Sequence, residues 1–283
     1  MNPVNLNLTS QRNVVVPPNM LMDVPHFTGA KKPIVEITDV IVAGVVYLAK
    51  YIKGSLEYVP PDLEAEGEKK LALKVIYSGM AFERYGQHVH EHLALQDMAP
   101  KHFLTFAMKV IGPPSIEEYQ LMEYLPPPSN DSAGWISLFD FENKFQQVAR
   151  RSKDDIKEAL YKIIEALEER HFVHGDLRPN NLLISIKFTT TPDGCIIQNR
   201  PNSVPHLPYL KVIDFDWAGD AGVVEYPPHR NEEVVWPGQS GMPILATHDK
   251  LMIESWLSKW ALVKDEGGGM HDVMMDVSFS GKL

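Results

Sequence analysis

Short apolar and β-branched runs alternate with turn-forming residues through the first half of the chain. Runs of this kind, bounded by Gly, Pro, Asn and Asp, are typical of strands. Four segments have this pattern: 34–52 (IVEITDVIVAGVVYLAKYI), 70–77 (KLALKVIY), 103–111 (FLTFAMKVI) and 119–125 (YQLMEYL). A helical stretch interrupts them at residues 80–97. About five strands and one helix are therefore predicted before the Pro-rich segment 126–130.

The most regular helical pattern of the second half covers residues 153–170. Apolar residues recur there at spacings of three and four, which places them on one face of a helix: Ile156, Leu160, Ile163, Ile164 and Leu167. Ser152, with Asp155 three residues later, resembles a capping box at the start of this helix. The pattern predicts an amphipathic helix that packs against a core.

Two short apolar strands follow this helix, and each leads into a polar loop. The first lies in VHGDLRPNNLLIS (173–185) and the second in YLKVIDFDWAGD (209–220). Residues 187–209 are rich in Thr, Pro, Asn and Asp and are predicted to form a surface excursion between the two strands. The order of strands and helices predicts an α+β fold.

Composition restricts the class of partner. The chain has 283 residues, of which 44% are hydrophobic, enough for a large domain or for two lobes with their own cores. Its 27 Lys and Arg against 37 Asp and Glu give a formal charge of −10. A nucleic-acid backbone is therefore an unsuitable main partner, since phosphate binding needs clustered basic residues. A nucleotide is compatible, because a metal ion can mediate between carboxylates and phosphates.

Cysteine usage and hydropathy indicate an intracellular protein. Cys195 is the single cysteine, so the chain forms no internal disulfide and has no Cys-based zinc site. The first residues lack the basic start and apolar stretch of a signal peptide. The longest apolar run, 40–49, is too short to span a bilayer. We expect no membrane span and a cytoplasmic location.

The strongest chemical signal is the pair of polar loops. Asp176 precedes Asn181 by five residues, and Asp214 follows the apolar strand LKVI about thirty residues later. Phosphoryl transfer depends on positioning and charge neutralisation, so its sites need oxygen ligands for Mg²⁺ and a carboxylate that faces the acceptor hydroxyl. The five-residue offset allows one loop to present both a base and a metal ligand. Arg178 supplies a cation close to them.

These loops resemble the protein kinase superfamily. Its catalytic loop begins H-R-D, with an Asn five residues after the Asp, and its metal loop is D-F-G. HGDLRPNN (174–181) is more similar to the H-G-D variant of aminoglycoside and choline kinases and of some atypical protein kinases. The string from DFDWAGD to THDKLM (214–252) looks like an uncharacterised group of kinase-like proteins from mushroom-forming fungi. The resemblance covers residues 60–262 and is specific in the two loops.

The resemblance implies a bilobal protein-kinase-like fold that binds ATP and Mg²⁺ in its cleft. It divides the chain into an extended N-terminal arm (1–33), a small β-rich N-lobe (34–125), a mainly helical, abbreviated C-lobe (126–264) and a flexible C-terminal tail (265–283). The substrates that it implies are a nucleotide and a hydroxyl acceptor.

Residue roles are carried over position by position. The resemblance implies that Asp176 is the catalytic base and that Asn181 and Asp214 bind Mg²⁺. Arg178 is expected near the transferred phosphate. Lys74 in LALKV matches the strand lysine that holds the α- and β-phosphates of ATP.

Further positions match less specific parts of the family pattern. Glu123, Tyr124 and Leu125 fall where the hinge receives adenine through backbone groups. Asp249 in THDKLM matches the helix aspartate that braces the catalytic loop. Glu91 is the favoured acid to pair with the strand lysine, with Glu83 and His88 as alternatives at this site: all three lie in the stretch 80–97.

The sequence also departs from the family pattern. G-x-G-x-x-G is absent, and the nearest stretch, VAGVVY (42–47), keeps one glycine. Asp216 replaces the last glycine of D-F-G, which gives up backbone freedom and adds a carboxylate. Gly175 replaces the arginine that reads a phosphorylated activation loop. Because residues 218–243 lack A-P-E, we expect no phosphorylation-driven switch.

The histidines and tryptophans are not assigned to chemistry. In HVHEH (88–92) only the first and last histidines share a helix face, and a third metal ligand is not evident, so exposure on the helix surface or packing against the lobe is favoured over zinc binding. The tryptophans of the second half are expected to anchor its core: Trp217, Trp236, Trp256 and Trp260.

Two functions are compatible with these residues. The first is an ATP- and Mg²⁺-dependent phosphotransferase that moves the γ-phosphate to a hydroxyl, with protein Ser/Thr favoured over a small molecule. The second is a catalytically weak or inactive pseudokinase that acts as a binding scaffold. The degenerate glycine loop, Asp216 and the ambiguous acid of residues 80–97 motivate the second.

Overall fold

The chain is an α+β protein in a computed structural model that describes residues 20–22, 35–42, 46–52, 63, 70–77, 85–109, 116–201 and 206–262. These residues contain twelve strands and five helices. They divide into two compact units. The first comprises the described members of Met1–Gly79 and His102–Tyr124, and the second those of Met80–Lys101 and Leu125–Lys282.

The first unit is a six-stranded antiparallel sheet with strand order β1-β2-β3-β4-β6-β5. Its strands are β1 (Met20–Met22), β2 (Val35–Val42), β3 (Val46–Tyr51), β4 (Leu71–Tyr77), β5 (His102–Lys109) and β6 (Ile116–Glu123). Five of them match the predicted strand runs. β1 was not predicted, because three residues are too few to show a period.

The core of the first unit follows the two-residue period of its strands. Alternate residues of a strand point to the same face, and Leu71, Leu73 and Val75 of β4 are all part of one buried cluster. Lys74 lies between them on β4, is itself buried, and pairs in register with Gln120 of β6. The period therefore directs the Lys74 side chain away from this cluster.

The second unit contains all five helices of the described chain and two small sheets. Its helices are α1 (Gln87–Leu95), α2 (Leu138–Lys144), α3 (Gln146–Arg151), α4 (Lys153–Glu168) and α5 (Ala246–Leu262). Its strands are β7 (Gly134–Ser137), β8 (Phe172–Val173), β9 (Leu182–Phe188), β10 (Cys195–Ile197), β11 (Leu210–Val212) and β12 (Gly219–Asp220). β9 pairs antiparallel with β7, β10 and β11, and β8 pairs with β12.

α4 confirms the predicted amphipathic helix. The five apolar residues on its predicted face are all buried: Ile156, Leu160, Ile163, Ile164 and Leu167. α4 packs against α1, α3 and α5 and against β8. Since β8 leads directly into the polar loop at residue 174, this packing fixes where that loop begins.

The capping role predicted for Ser152 is wrong. Ser152 makes no capping hydrogen bond, because α3 ends one residue before it and its backbone, at φ −97° and ψ 10°, is not the extended conformation of a capping residue. A serine does cap a different helix: Ser137 precedes α2, and its Oγ accepts the Asp140 N–H at 3.0 Å. The predicted surface excursion 187–209 contains β10, which pairs with β9.

The helix predicted at residues 80–97 is shorter in the structure, where α1 begins at Gln87 and ends at Leu95. Residues 80–84 lie outside the described part of the chain.

Within the described residues, no helix is both long enough and apolar enough to cross a membrane.

The packing of α4 gives a stability prediction. Leu160→Ala removes a fully buried side chain and is expected to lower the free energy of unfolding of the second unit by about 2–5 kcal/mol. Leu95→Ala is the matched control, because Leu95 is 88% exposed, and its expected change is within about 0.5 kcal/mol. Urea unfolding followed by circular dichroism measures both. Equal losses in the two variants would contradict the assignment of α4 to the core.

Candidate functional site

The candidate site lies on the loop that joins β8 to β9. Residues 174–178 leave β8 in irregular conformation, and a single 3-10 turn, Pro179–Asn181, leads into β9. Gly175 has a φ of +80°, a region that favours glycine. A Cβ at this position would stand 2.8 Å from Ile244 Cδ1 and 3.0 Å from the Trp217 carbonyl oxygen. Glycine is therefore required at position 175 by conformation and by space.

A buried carboxylate holds this loop from α5. Asp249 Oδ2 accepts the N–H of His174 at 2.6 Å, and Asp249 Oδ1 accepts the N–H of Gly175 at 3.0 Å. Burial raises the pKa of Asp249, while the hydrogen bonds from the two backbone amides act in the opposite direction. The predicted contact of Asp249 with the loop that follows β8 is confirmed by these two hydrogen bonds.

His174 connects the loop to the segment that follows β11. Its Nδ1 lies 3.3 Å from the Asp176 amide nitrogen, and its Nε2 lies 3.1 Å from the Ile213 carbonyl oxygen. An amide can only donate and a carbonyl can only accept, so the neutral ring carries its proton on Nε2. The ring also meets Phe215 edge to face, with 5.1 Å between centroids. His174 is thus a rigid spacer between the two polar loops.

Asp176 is hydrogen-bonded through both carboxylate oxygens. Arg178 donates from Nε to Oδ1 and from Nη2 to Oδ2, the latter at 2.8 Å. Asn181 Nδ2 donates to Oδ2 and to the Asp176 backbone carbonyl, each at 2.9 Å. These contacts assign the amide orientation of Asn181, so its Oδ1 remains as the oxygen that can bind a cation. The carboxylate, guanidinium and amide form one rigid group.

Asp214 belongs to the same region of the second unit. The Asn181 carbonyl accepts the Ile213 N–H at 2.9 Å, which ties the start of β9 to the end of β11. Asp214 itself is exposed and has a φ of +71°, a conformation that Asp adopts more readily than most residues. Hydrogen bonding to Asp176 and the charges of Asp176 and Asp214 raise the pKa of Arg178 against the opposing effect of burial. Asp214 therefore acts electrostatically on the same group.

Phe215 anchors the Asp214 loop on α1. Its carbonyl accepts the N–H of Gly86 at 2.8 Å, and its ring stacks on His90 with centroids 4.5 Å apart. His90 is fully buried, with Nδ1 2.5 Å from Tyr85 Oη and Nε2 2.7 Å from the Pro100 carbonyl. The predicted packing role is therefore confirmed for His90. Across the described ranges, no three His, Cys, Asp or Glu side chains form a metal-binding group.

The structure divides the predicted site residues between its two units. Asp176, Arg178, Asn181 and Asp214 lie in the second unit, and the hydrogen bonds and charge effects above bring them together. Leu125 is also in the second unit, immediately before the Pro-rich segment.

The first unit holds Lys74, Glu123 and Tyr124. Glu123 is the last residue of β6. The pKa of Tyr124 is raised, mainly by burial and also by the charge of Asp39. The adenine contacts predicted for this stretch stay a prediction.

The acid that pairs with the strand lysine also stays a prediction. Glu91 is exposed on α1 and accepts a hydrogen bond from Gln87 Nε2 at 2.7 Å. His88 Nε2 lies 3.7 Å from Asp220 Oδ1. Glu83 and Gly44, the glycine of the predicted phosphate loop, lie outside the described residues.

An aromatic group beside Arg178 was missed as part of the site. Trp236, assigned from the sequence to core packing, lies under the Arg178 guanidinium, with Cζ 5.2 Å from the ring centroid. Arg230 lies 5.4 Å from the same centroid and 4.8 Å from that of Tyr226. The segment that carries these residues has no hydrophobic period. Its three prolines, with one arginine and two aromatic residues among them, were the available signal.

Comparison with known proteins gives no family assignment. No protein-family model matches the chain, and the search of curated proteins found no match.

The donor set of the two loops fits a magnesium nucleotide. Mg²⁺ is usually bound by one or two carboxylates or other oxygens of the protein together with substrate phosphates. Asn181 Oδ1 and the exposed Asp214 carboxylate are such donors, and Asp176 is a carboxylate held in one orientation next to them. The arrangement can accept a proton from a hydroxyl and can place cations beside phosphate.

The buried brace gives a prediction about loop order. Asp249→Asn replaces one acceptor with an NH₂ group that faces a backbone N–H, so we expect faster hydrogen exchange at the His174 and Gly175 amides. The expected loss of stability is about 1–3 kcal/mol. Asp131→Asn, the same change at an exposed loop position, serves as the control and should leave both amides unchanged. Unaltered protection of the two amides in Asp249→Asn would show that the brace is dispensable.

Proposed function

We propose that the chain has a bilobal protein-kinase-like fold and is an ATP- and Mg²⁺-dependent phosphotransferase that acts on a hydroxyl. The observation that carries this proposal is the single hydrogen-bonded group of Asp176, Arg178 and Asn181, linked to Asp214 through the Asn181–Ile213 backbone bond. It combines a fixed carboxylate with two further oxygen donors and a cation, the set that phosphoryl transfer needs.

Asn181 and Asp214 would hold the Mg²⁺ ion. The ion supplies neutralisation of phosphate charge when it is bound with the nucleotide. The protein contributes by fixing its ligands in advance: the Asn181 amide is oriented by two hydrogen bonds, and the Asp214 loop is anchored through Phe215. Prearranged ligands cost little reorganisation when the nucleotide binds.

Asp176 would accept the proton of the acceptor hydroxyl. Its carboxylate is buried and is paired with the guanidinium of Arg178, whose pKa is raised by the hydrogen bond to Asp176. A hydrogen bond from the acceptor hydroxyl would replace one of the two hydrogen bonds from Arg178 to Asp176. The carboxylate would then lie next to the proton that it accepts. Arg178 then lies near the transferred phosphate, as a cation beside developing negative charge.

The remaining roles belong to the same proposal. Lys74 would hold the α- and β-phosphates with Glu91 as its acid partner, and Glu123, Tyr124 and Leu125 would receive adenine. Protein Ser/Thr is the favoured acceptor, ahead of a small molecule. An intracellular, cytoplasmic location is proposed with this activity.

The transfer reaction gives the direct test. Wild-type protein incubated with radioactive ATP and Mg²⁺ or Mn²⁺ is expected to label itself, peptides or a small hydroxyl compound. Asp176→Ala should reduce the rate by about 10²–10⁴-fold, the usual contribution of a general base.

Asp220→Ala is the control for this substitution, since Asp220 is an exposed aspartate of the same unit. Its rate should equal that of the wild type. Transfer by the wild type that does not exceed transfer by Asp176→Ala, with every acceptor and both metals, would count against the phosphotransferase.

A pseudokinase that acts as a binding scaffold is the second candidate. The observation that favours it is the engagement of both Asp176 carboxylate oxygens by Arg178 and Asn181, which keeps the base hydrogen-bonded within its own loop. Asp216 in place of a glycine adds to it, because an aspartate restricts the movement of the metal loop.

Nucleotide binding distinguishes a protein that binds ATP from a scaffold that does not. ATP with Mg²⁺ at 100 times its Kd stabilises a protein by about 2.7 kcal/mol, so the Tm should rise by several degrees. Asp214→Asn should abolish most of the Mg²⁺-dependent part of that rise, and Asp131→Asn should keep it. A thermal shift assay measures all three proteins. No rise in the wild type would favour a scaffold that does not bind ATP.

A further inference from the structure

The segment Tyr226–Met242, here called the aromatic loop, is a built structure. Its ends are joined by the Tyr226 N–H, which donates to the Met242 carbonyl at 3.0 Å, and by the Gly241 N–H, which donates to the Tyr226 carbonyl at 2.8 Å. Gly238 packs against the Tyr226 ring so closely that a Cβ there would stand 2.8 Å from a ring carbon. The Trp236 indole N–H donates to the Asn231 carbonyl at 2.9 Å. The Tyr226 and Trp236 side chains are therefore held in place.

The aromatic loop brings a second guanidinium to the candidate site. Arg178 and Arg230 both lie on Trp236, with Cζ atoms 5.2 Å and 5.4 Å from the ring centroid. Arg230 also stacks on Tyr226, and its charge counteracts part of the rise that burial causes in the pKa of that phenol. One indole thus links Arg230 to the arginine that binds the catalytic carboxylate.

The two arginines differ in their partners. Arg178 donates two hydrogen bonds to Asp176. Arg230 donates from Nη1 to the Gly238 carbonyl at 2.8 Å, and within the described part of the chain no carboxylate forms an ion pair with it. A guanidinium has five N–H donors, and Arg230 is only partly buried. Its charge is therefore not paired with a carboxylate of the described residues, and part of its guanidinium is accessible to solvent.

We propose that the aromatic loop binds an oxyanion, a phosphate or a carboxylate, carried by the acceptor, with Arg230 as the anion-binding residue. This inference rests on the proposed function, because it places the acceptor's anion beside the hydroxyl that faces Asp176. The planar fork of Arg230 matches either oxyanion with two parallel hydrogen bonds. Stacking on Tyr226 and Trp236 holds the fork in place before the acceptor arrives, which reduces the entropy lost on binding.

Charge balance favours an anion over a cation or an apolar group. The Asp176 carboxylate is already matched by Arg178, whereas the charge of Arg230 is matched by no carboxylate of the described chain. An apolar acceptor would remove the Arg230 guanidinium from water without new hydrogen bonds, which is costly. A cationic acceptor would meet it with repulsion. An oxyanion replaces the lost hydration with charge-assisted bonds.

Anion titration of the full chain tests this proposal without nucleotide or metal. Sodium phosphate and, separately, sodium acetate are added at constant ionic strength while tryptophan emission and Tm are followed. The wild type is expected to show saturable binding. Arg230→Gln should weaken it by at least about tenfold, the loss expected for charge-assisted hydrogen bonds. Arg230→Lys should lie between them, since it keeps the charge and loses the fork. Tighter phosphate binding indicates a phosphorylated acceptor, and tighter acetate binding a carboxylated one.

Arg151→Gln is the matched control, because Arg151 is an exposed arginine paired with Asp193 at 2.6 Å; it should bind as the wild type does. The proposal is overturned by an unsaturable wild-type titration, by an Arg230→Gln affinity within twofold of the wild type, or by an equal loss in Arg151→Gln. If Arg230→Gln does not fold, Arg230→Lys decides by the same comparison. ATP-dependent stabilisation without Arg230-dependent anion binding overturns this inference alone. Arg230-dependent anion binding without stabilisation by ATP counts against the phosphotransferase but still supports an anion site at Arg230.

Discussion

The Asp249 carboxylate, buried beneath the loop that follows β8, is the interaction on which the candidate site depends. Two successive backbone amides, those of His174 and Gly175, donate to its two oxygens. Buried amides need such partners, since an unsatisfied one costs about 1–3 kcal/mol. With both satisfied, the chain can turn at a glycine of positive φ directly before Asp176. This anchor therefore fixes the start of the loop at residues 174 and 175.

A second set of contacts transmits that order to the neighbouring loop. His174 bridges Asp176 and Ile213, and Phe215 packs between His174 and His90 of α1. Aromatic contacts and hydrogen bonds thus connect the loop after β8, the loop after β11 and one helix into a single framework. Such a framework keeps oxygen donors in fixed positions, which is the physical requirement for binding a metal ion and a phosphate together.

Prediction succeeded where the signal was local and periodic. α4 was predicted from apolar residues that share a helix face, and the strands of the first unit from their short β-branched runs. It failed where one residue had several competing roles. Ser152 had the composition of a helix cap, yet its near-helical backbone places no side-chain oxygen over the first turn of α4. β10 lay in a segment of turn-forming residues and was not predicted; its pairing with β9, which ends seven residues before it, decided its conformation.

The sequence alone determined which carboxylate and amide side chains the core of the site contains. The five-residue offset of Asp176 and Asn181 lies within one loop, so short-range backbone geometry is enough to bring the carboxylate and amide together. Tertiary structure decided which distant residues complete the group. Asp249 is 73 residues after Asp176, and Trp236 and Arg230 come from a segment without periodicity. Their contacts depend on the packing of α5 and on closure of the aromatic loop, and no local pattern encodes distances between segments so far apart.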